Sequence, residues 1–168
     1  VGVEEAGAND AGSAYVFEVP AEPTIAYCTA GTSASGCQAL LSASGAASAN
    51  APSGFVLQAT AVEGLKHGLF FWGTNGGQAT PWGNGTSFVC VAPPTTRGSL
   101  LAGNGTLGGC DGTLAQDLNA LWCPTCPKPN NNPGAGSQVC AQLWYRDGFS
   151  TSNQGASLSD ALVFCVEP

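Results

Sequence analysis

Apolar and polar residues alternate with a period of two along several short stretches of this chain. Tyr15, Phe17 and Val19 alternate with smaller or charged residues over positions 13–19, and positions 54–62 repeat the pattern. Because successive side chains of a strand point to opposite faces, this period predicts strands with one buried face. Asn75-Gly76 separates two further apolar runs and predicts a turn.

The clearest pair of predicted strands lies near the end of the chain, at residues 138–145 and 161–166, joined by a polar loop. The other predicted strands are short and are bounded by Gly, Pro and Asn; they cover residues 24–28, 54–62, 68–72 and 86–91. Residues 40–48 fit a strand or coil. Residues 114–122 carry leucines at helical spacing, but an all-strand neighbourhood favours a strand or a single helical turn.

This pattern predicts an all-β chain of seven or eight strands, a disulfide-stapled β-sandwich or jelly roll with an extended N-terminal strand. We expect two parts: an N-terminal arm (residues 1–23) and a β-sandwich domain (residues 24–168). Pro20 and Pro23 cannot donate to a sheet ladder, so they separate the strand at 13–19 from the next one. That strand is either an ordinary first strand of the domain or a donor strand that pairs with a neighbouring molecule.

Composition limits the class of function. The 168 residues carry four Lys and Arg against eleven acidic residues, for a net charge of −7. Such a chain is poorly suited to nucleic acid or to anionic membranes, and no apolar run is long enough to span a bilayer. Eight cysteines, one histidine and no methionine predict an extracellular protein from an oxidising compartment.

The eight cysteines are expected to form disulfides rather than a metal site, because only one CxxC pair is present. They are Cys28, Cys37, Cys90, Cys110, Cys123, Cys126, Cys140 and Cys165. Closeness in sequence favours a Cys28–Cys37 bond, although eight cysteines allow 105 pairings. Cys123 and Cys126 fit a redox CxxC or a structural loop disulfide, and the surrounding prolines favour the structural bond.

No catalytic constellation is visible, so we predict that the chain is not an enzyme and uses no cofactor. His67 is the only histidine, and no GxSxG motif accompanies it. Five carboxylates were candidates for glycoside hydrolysis, but their spacing singles out no pair: Glu63, Asp111, Asp117, Asp147 and Asp160. Calcium at the Asp- and Asn-rich turns is an alternative, but no DxDxDG run is present, so no metal site is predicted.

Carbohydrate binding is the alternative function that the aromatic residues favour. Trp82 lies in the turn-like sequence PWGNG, and we expect it to be exposed and to contact sugar. Asn84-Gly-Thr86 and Asn104-Gly-Thr106 match the acceptor pattern for glycosylation, which makes Asn84 and Asn104 candidate modification sites.

Three stretches, SGFVLQATAVEGLKHGLFFWGTNG, PWGNGTSFVCV and AQLWYRD…NQGASLSDALVFCV, carry a resemblance that covers residues 27–166. They resemble an uncharacterised β-rich module found at the C-terminal ends of large exported proteins from planctomycete-like bacteria. The resemblance implies a Cys28–Cys37 pair, counterparts for Cys90 and Cys110, and a last pair formed by Cys140 and Cys165. It implies an exported β-rich fold and no known activity.

The N-terminal sequence GANDAGSAYVFE resembles the closing strand of an FG-GAP repeat of integrin-like propellers, without the repeat's acidic calcium loop. This resemblance raises the question of whether residues 13–19 fold onto their own chain.

The resulting hypothesis is a non-catalytic structural or assembly protein of the cell exterior, with other copies of itself and glycans as partners. Tyr15, Phe17 and Val19 would enter a neighbouring subunit, and the strands within residues 137–166 would offer the acceptor edge.

Overall fold

A computed structural model describes residues 23–83, 86–148 and 154–168. The strands of the described residues, in chain order, are β1 (Ile25–Tyr27), β2 (Leu40–Ser44), β3 (Val56–Val62), β4 (Gly68–Gly73), β5 (Gly77–Trp82), β6 (Ser87–Val91), β7 (Thr96–Arg97), β8 (Gly112–Asp117), β9 (Gln138–Arg146) and β10 (Ala156–Cys165). Among the residues that the structure describes, helical structure is confined to the single turn α1 (Asn119–Trp122) and a 3-10 turn (Pro129–Asn131). The prediction of a mainly β chain is confirmed.

The strands form three antiparallel sheets. Their orders are β1-β10-β9-β4-β7, β2-β3-β8 and β5-β6. The predicted pair at the end of the chain is present as β9 and β10, but β10 begins at Ala156 rather than at residue 161. A register shift between Leu158 and Ala161 interrupts its pairing with β9. The bulge shifts the pairing between Leu158 and Ala161, and the predicted strand covers only the half of β10 that follows it.

The strands β9 and β10, which form the clearest predicted pair, lie inside the five-stranded sheet. β9 pairs with β10 on one side and with β4 on the other, and β10 is also paired with β1. The prediction that these strands offer an acceptor edge is therefore wrong, because the edges of this sheet are β1 and β7. The burial of β9 agrees with this central position, because every residue from Val139 to Leu143 is buried and both faces of the strand are therefore covered.

The five-stranded and three-stranded sheets share the main core. One face of β9 contributes Val139, Ala141, Leu143 and Tyr145, all fully buried. The indole rings of Trp72 and Trp122 meet edge to face, with centroids 5.7 Å apart. Phe55 and Phe164 add a tilted ring pair at 4.6 Å across the same core. Each such aromatic pair contributes about 0.5–1.5 kcal/mol beyond the burial of its area.

The β5–β6 hairpin covers part of the opposite face of the five-stranded sheet. Val91 and Leu158 are buried between them, and Tyr27 of β1 donates a hydrogen bond from Oη to the Cys90 carbonyl at 2.6 Å. A Cβ on Gly77 would lie 2.8 Å from the Tyr27 ring, so glycine permits β5 to approach β1 closely. This outer face carries the candidate site described below.

Residues 112–122 combine the two structures that the sequence left open. β8 ends at Asp117, and α1 follows directly as one helical turn. Asp117 favours this change because its Oδ1 accepts a hydrogen bond from the Ala120 amide at 3.2 Å. Leu118 and Trp122 fill the main core, and their spacing of four residues accounts for the helical pattern.

Three disulfides link the described residues, and only one agrees with the predicted pairs. Cys123 bonds Cys126, as expected. Cys28 bonds Cys90 rather than Cys37, and Cys37 bonds Cys110, with Cα atoms 6.2 Å and 5.2 Å apart. Closeness in sequence was a poor guide because the fold, and not the loop length, sets which Cα atoms lie within bridging distance. These two bonds close loops of 62 and 73 residues, which constrain the unfolded chain more than a short loop would.

The expected bond between Cys140 and Cys165 is absent, and both are free thiols. Cys140 lies opposite Val163 on the neighbouring strand, and Cys165 lies opposite Gln138, so the two cysteines are diagonal rather than facing. The predicted donor strand, with Tyr15, Phe17 and Val19, lies outside the described residues.

Candidate functional site

A pocket of about 440 Å³ opens on the outer face of the five-stranded sheet, which we call the Trp82–Trp144 pocket. Its floor is formed by alternate residues of three adjacent strands: Phe71 of β4, Trp144 of β9 and Leu158 of β10. Trp82, the last residue of β5, forms a wall of the pocket, and Arg97 of β7 also lines it. This volume falls within the range of roughly 300–1,000 Å³ that is typical of ligand sites.

A buried glutamine holds the wall of this pocket in place. Gln142 of β9 is fully buried, and its Oε1 accepts a hydrogen bond from the Cys90 amide at 3.0 Å. Its Nε2 donates to the carbonyls of Phe88 at 2.9 Å and Ser159 at 2.7 Å. One side chain of β9 therefore joins the backbone of β6 to that of β10.

The pocket concentrates positive charge in an acidic chain. Arg97 and Arg146 both line it, whereas its other lining residues are uncharged. Arg146 extends along the ring of Trp144, with Cζ 6.0 Å from the ring centroid. Within the described residues neither arginine forms an ion pair; the ion pair found there joins Lys66 to Glu63. An anionic group entering the pocket would therefore meet two uncompensated guanidinium groups.

Trp82 differs from its predicted state. It is half-buried at the end of β5 rather than exposed in a turn, because β5 extends through Pro81 and Trp82, the first two residues of the PWGNG motif. Its Nε1 is buried and has no hydrogen-bond partner among the described residues. Trp82 lines the pocket, and its predicted contact with sugar stays a prediction. The sequence did not indicate Arg97 or Arg146 as pocket residues, because no local motif marks them.

The candidate carboxylates serve the fold. Asp147 Oδ2 accepts hydrogen bonds from the Ala34 amide at 2.9 Å and from Ser157 Oγ at 3.0 Å. Asp160 Oδ1 accepts one from the Leu41 amide at 2.7 Å, which ties β10 to β2. Burial raises the pKa of Asp160, and the Leu41 hydrogen bond opposes this effect. Each of these carboxylates thus satisfies backbone groups at a junction between elements.

The pKa values of two other carboxylates are lowered. Burial alone would raise the pKa of Glu63, but hydrogen bonds from Lys66, Ser33 and Ser35 lower it below its usual value. Lys66 Nζ lies 3.0 Å from Glu63 Oε1. Hydrogen bonds from the backbone and side chain of Thr106 lower the pKa of the exposed Asp111. These interactions give both carboxylates a role as hydrogen-bonding groups within loops.

The remaining predicted positions are dispersed. His67 is exposed in the turn before β4. Asn104 is exposed, but its Nδ2 donates to Thr113 Oγ1 at 2.8 Å, so a glycan there would replace one of the amide hydrogens in this loop. Asn84 lies outside the described residues.

The described part of the chain offers neither a metal-binding cluster nor a membrane-spanning helix. It contains no group of three or more His, Cys, Asp or Glu side chains that could hold a metal ion. None of its helices has the length and apolar character needed to cross a membrane.

The described residues define a disulfide-linked, mainly β protein with one aromatic and cationic pocket on a sheet face. Three disulfides are typical of an oxidising environment. The chain matches no family model, no curated protein and no solved structure.

Proposed function

We propose that this chain is a non-catalytic structural protein of the cell exterior whose copies join through the N-terminal arm. In this proposal residues 24–168 form a β-sandwich whose two layers are the five-stranded and three-stranded sheets. Residues 13–19 act as a donor strand for the next copy. Because the donor and acceptor surfaces differ, the contact is heterologous and repeats along a filament unless it closes into a ring.

The observation that carries this proposal is the position of β1. This strand directly follows the N-terminal arm and lies at an edge of the five-stranded sheet. It pairs with β10 through only three residues, and its Ile25 is 55% exposed. The N-terminal arm therefore departs from the rim of a sheet, where strand addition between molecules is sterically accessible.

The proposal is tested with the full chain and a variant that combines Tyr15→Ser with Phe17→Ser. Negative-stain electron microscopy and sedimentation velocity are expected to show oligomers or filaments for the parent and monomers for the variant. A matched control combines Val1→Ser with Val3→Ser, which removes two apolar side chains from the same arm outside the alternating stretch. Equal assembly of the parent and the Tyr15/Phe17 variant would refute strand donation.

Carbohydrate binding is the second candidate function, and the Trp82–Trp144 pocket favours it. Flat apolar ring faces next to charged and polar groups are suited to a sugar ring. A glycan array comparing the parent with Trp82→Ala tests this candidate, with Leu107→Ala as a control at a site that is 76% exposed. Sugar-dependent binding that is lost only in Trp82→Ala would support it, and an absence of binding by the parent would remove it.

A further inference from the structure

The charge of the Trp82–Trp144 pocket is opposite to that of the N-terminal arm. The pocket contains Arg97 and Arg146, which are two of the four cations of the chain, and no acidic residue lines it. The N-terminal arm holds five of the eleven acidic residues and no Lys or Arg. The two surfaces are thus complementary, and such complementarity accelerates encounter and excludes wrong partners.

The pocket and the N-terminal arm both offer apolar side chains to each other. The pocket floor is aromatic and aliphatic, and the donor strand offers Tyr15, Phe17 and Val19 at alternate positions. In an extended segment these side chains point to one side and are spaced by about 7 Å. Large aromatic side chains that fill desolvated pockets supply most of the affinity in protein interfaces.

We propose that the Trp82–Trp144 pocket of one copy binds residues 13–19 of a second copy. Tyr15 and Phe17 enter between Trp82 and Trp144, while the carboxylates of the arm are attracted to the guanidinium groups at the pocket rim. This inference rests on the proposed donation of the N-terminal strand, and it names the acceptor site. It replaces the acceptor edge expected in β9 and β10, which are both interior strands.

The acceptor is placed on a second copy because of the connector between the donor strand and β1. Pro20 and Pro23 each fix a φ angle and favour extended backbone at the residue before them, which limits the conformations of the short connector before Ile25. The strand β7, which carries Arg97, lies at the opposite edge of the sheet from β1. Four strand spacings of about 4.8 Å separate them, or roughly 19 Å. For these two reasons we assign the acceptor to a neighbouring molecule rather than to the same chain.

The first test changes the charge of the pocket in the full chain. The variant Arg97→Gln/Arg146→Gln is compared with Gln58→Glu/Thr60→Glu, which has the same net charge but is altered on the exposed side of β3. Sedimentation is expected to show association weakened about tenfold or more in the pocket variant and near the parental strength in the control. Association of the parent should also weaken as salt is raised, since salt screens the attraction.

The second test uses complementation between defective copies. The arm variant Tyr15→Ser/Phe17→Ser retains a pocket, and the pocket variant retains an arm. Neither is expected to associate alone, whereas their mixture should form a one-to-one complex that cannot extend. An absence of this complex, with both variants folded by circular dichroism, would overturn the inference.

The third test locates the contact without altering the pocket. A photocrosslinking phenylalanine analogue replaces Phe17 in a chain labelled with heavy isotopes, and this chain is mixed with an unlabelled chain. Crosslinks from heavy to light chains in the peptides containing Trp82 or Trp144 would support the proposal. Crosslinks confined to one chain, or found at other peptides, would overturn it.

The outcomes separate this inference from the function on which it rests. If the arm variant fails to associate but the pocket variant associates like its control, strand donation stands and the acceptor site is refuted. If the arm variant associates like the parent, both proposals fail. If the pocket variant loses only sugar binding, the pocket belongs to a carbohydrate and the inference is refuted.

Discussion

Replacing Gln142 with leucine removes a hydrogen-bonding side chain with little change in size. The buried amide of Cys90 loses its acceptor, and the carbonyls of Phe88 and Ser159 lose a donor. A buried polar group left without a partner costs about 1–3 kcal/mol. Because a carbonyl can relax towards other donors more easily than an amide can, we expect a loss of about 3 kcal/mol in the free energy of unfolding for Gln142→Leu.

The measurement is equilibrium unfolding in urea with the disulfides intact, together with amide hydrogen exchange. Gln58→Leu is the matched control, because Gln58 is exposed on β3. The control should change the free energy of unfolding by no more than about 0.5 kcal/mol. In Gln142→Leu, the amide hydrogen of Cys90 should also exchange faster than in the parent, because this amide loses its hydrogen-bond acceptor.

Gln142→Glu sharpens this prediction. A carboxylate can still accept from the Cys90 amide, but when ionised it cannot donate to the carbonyls of Phe88 and Ser159. It should therefore destabilise the protein at least as much as leucine does at neutral pH. The reasoning is refuted if Gln142→Leu lies within about 1 kcal/mol of its control, or if exchange at Cys90 is unchanged.

Three further predictions concern the fold. The parent should be more stable than Glu63→Gln at neutral pH, and this difference in the free energy of unfolding should shrink between about pH 6 and pH 3. The reason is that the pKa of Glu63 is lowered in the folded protein, so the stabilisation is present above the ordinary pKa and is lost as the pH falls through the pKa of the folded state. A difference in urea unfolding that does not change with pH would contradict this. Gly45→Ala should lower the free energy of unfolding by about 1–3 kcal/mol more than Gly36→Ala does. Both glycines have positive φ, but a Cβ at Gly45 would lie 1.7 Å from the backbone oxygen of Gly54, whereas a Cβ at Gly36 would meet no atom within 4 Å. Equal urea midpoints for the two variants would contradict this prediction. Peptide mapping without reduction should recover the three disulfides and two alkylatable thiols, and a Cys28–Cys37 peptide would disprove the pairing.

The two free thiols lie on the same face of adjacent strands. Cys140 is buried opposite Val163, whereas Cys165 is partly accessible opposite Gln138. A sequence with eight cysteines indicates the compartment, because that inference depends on their number. Which cysteines remain reduced depends on the register of β9 and β10, which no spacing between cysteines specifies.

The sequence by itself determined the elements that depend on local periodicity. Alternation identified β3 at residues 54–62, and the apolar run before Asn75-Gly76 identified β4. Leucine spacing over 114–122 indicated both the strand and the helical turn that follow each other there. These predictions succeeded because the side-chain direction of a strand or a helix is fixed by neighbouring residues.

Only the tertiary structure decided which strands are interior and where the pocket lies. β9 is central because β4 and β10 both pair with it, and the contacts with β4 join residues that are distant in sequence. Trp82 was recognisable from the sequence as an aromatic candidate, but Arg97 belongs to a two-residue strand with no pattern of its own. The pocket exists because Gln142 fixes one hairpin against the outer face of a sheet, and hydrogen bonds of that range depend on the folded geometry rather than on periodicity.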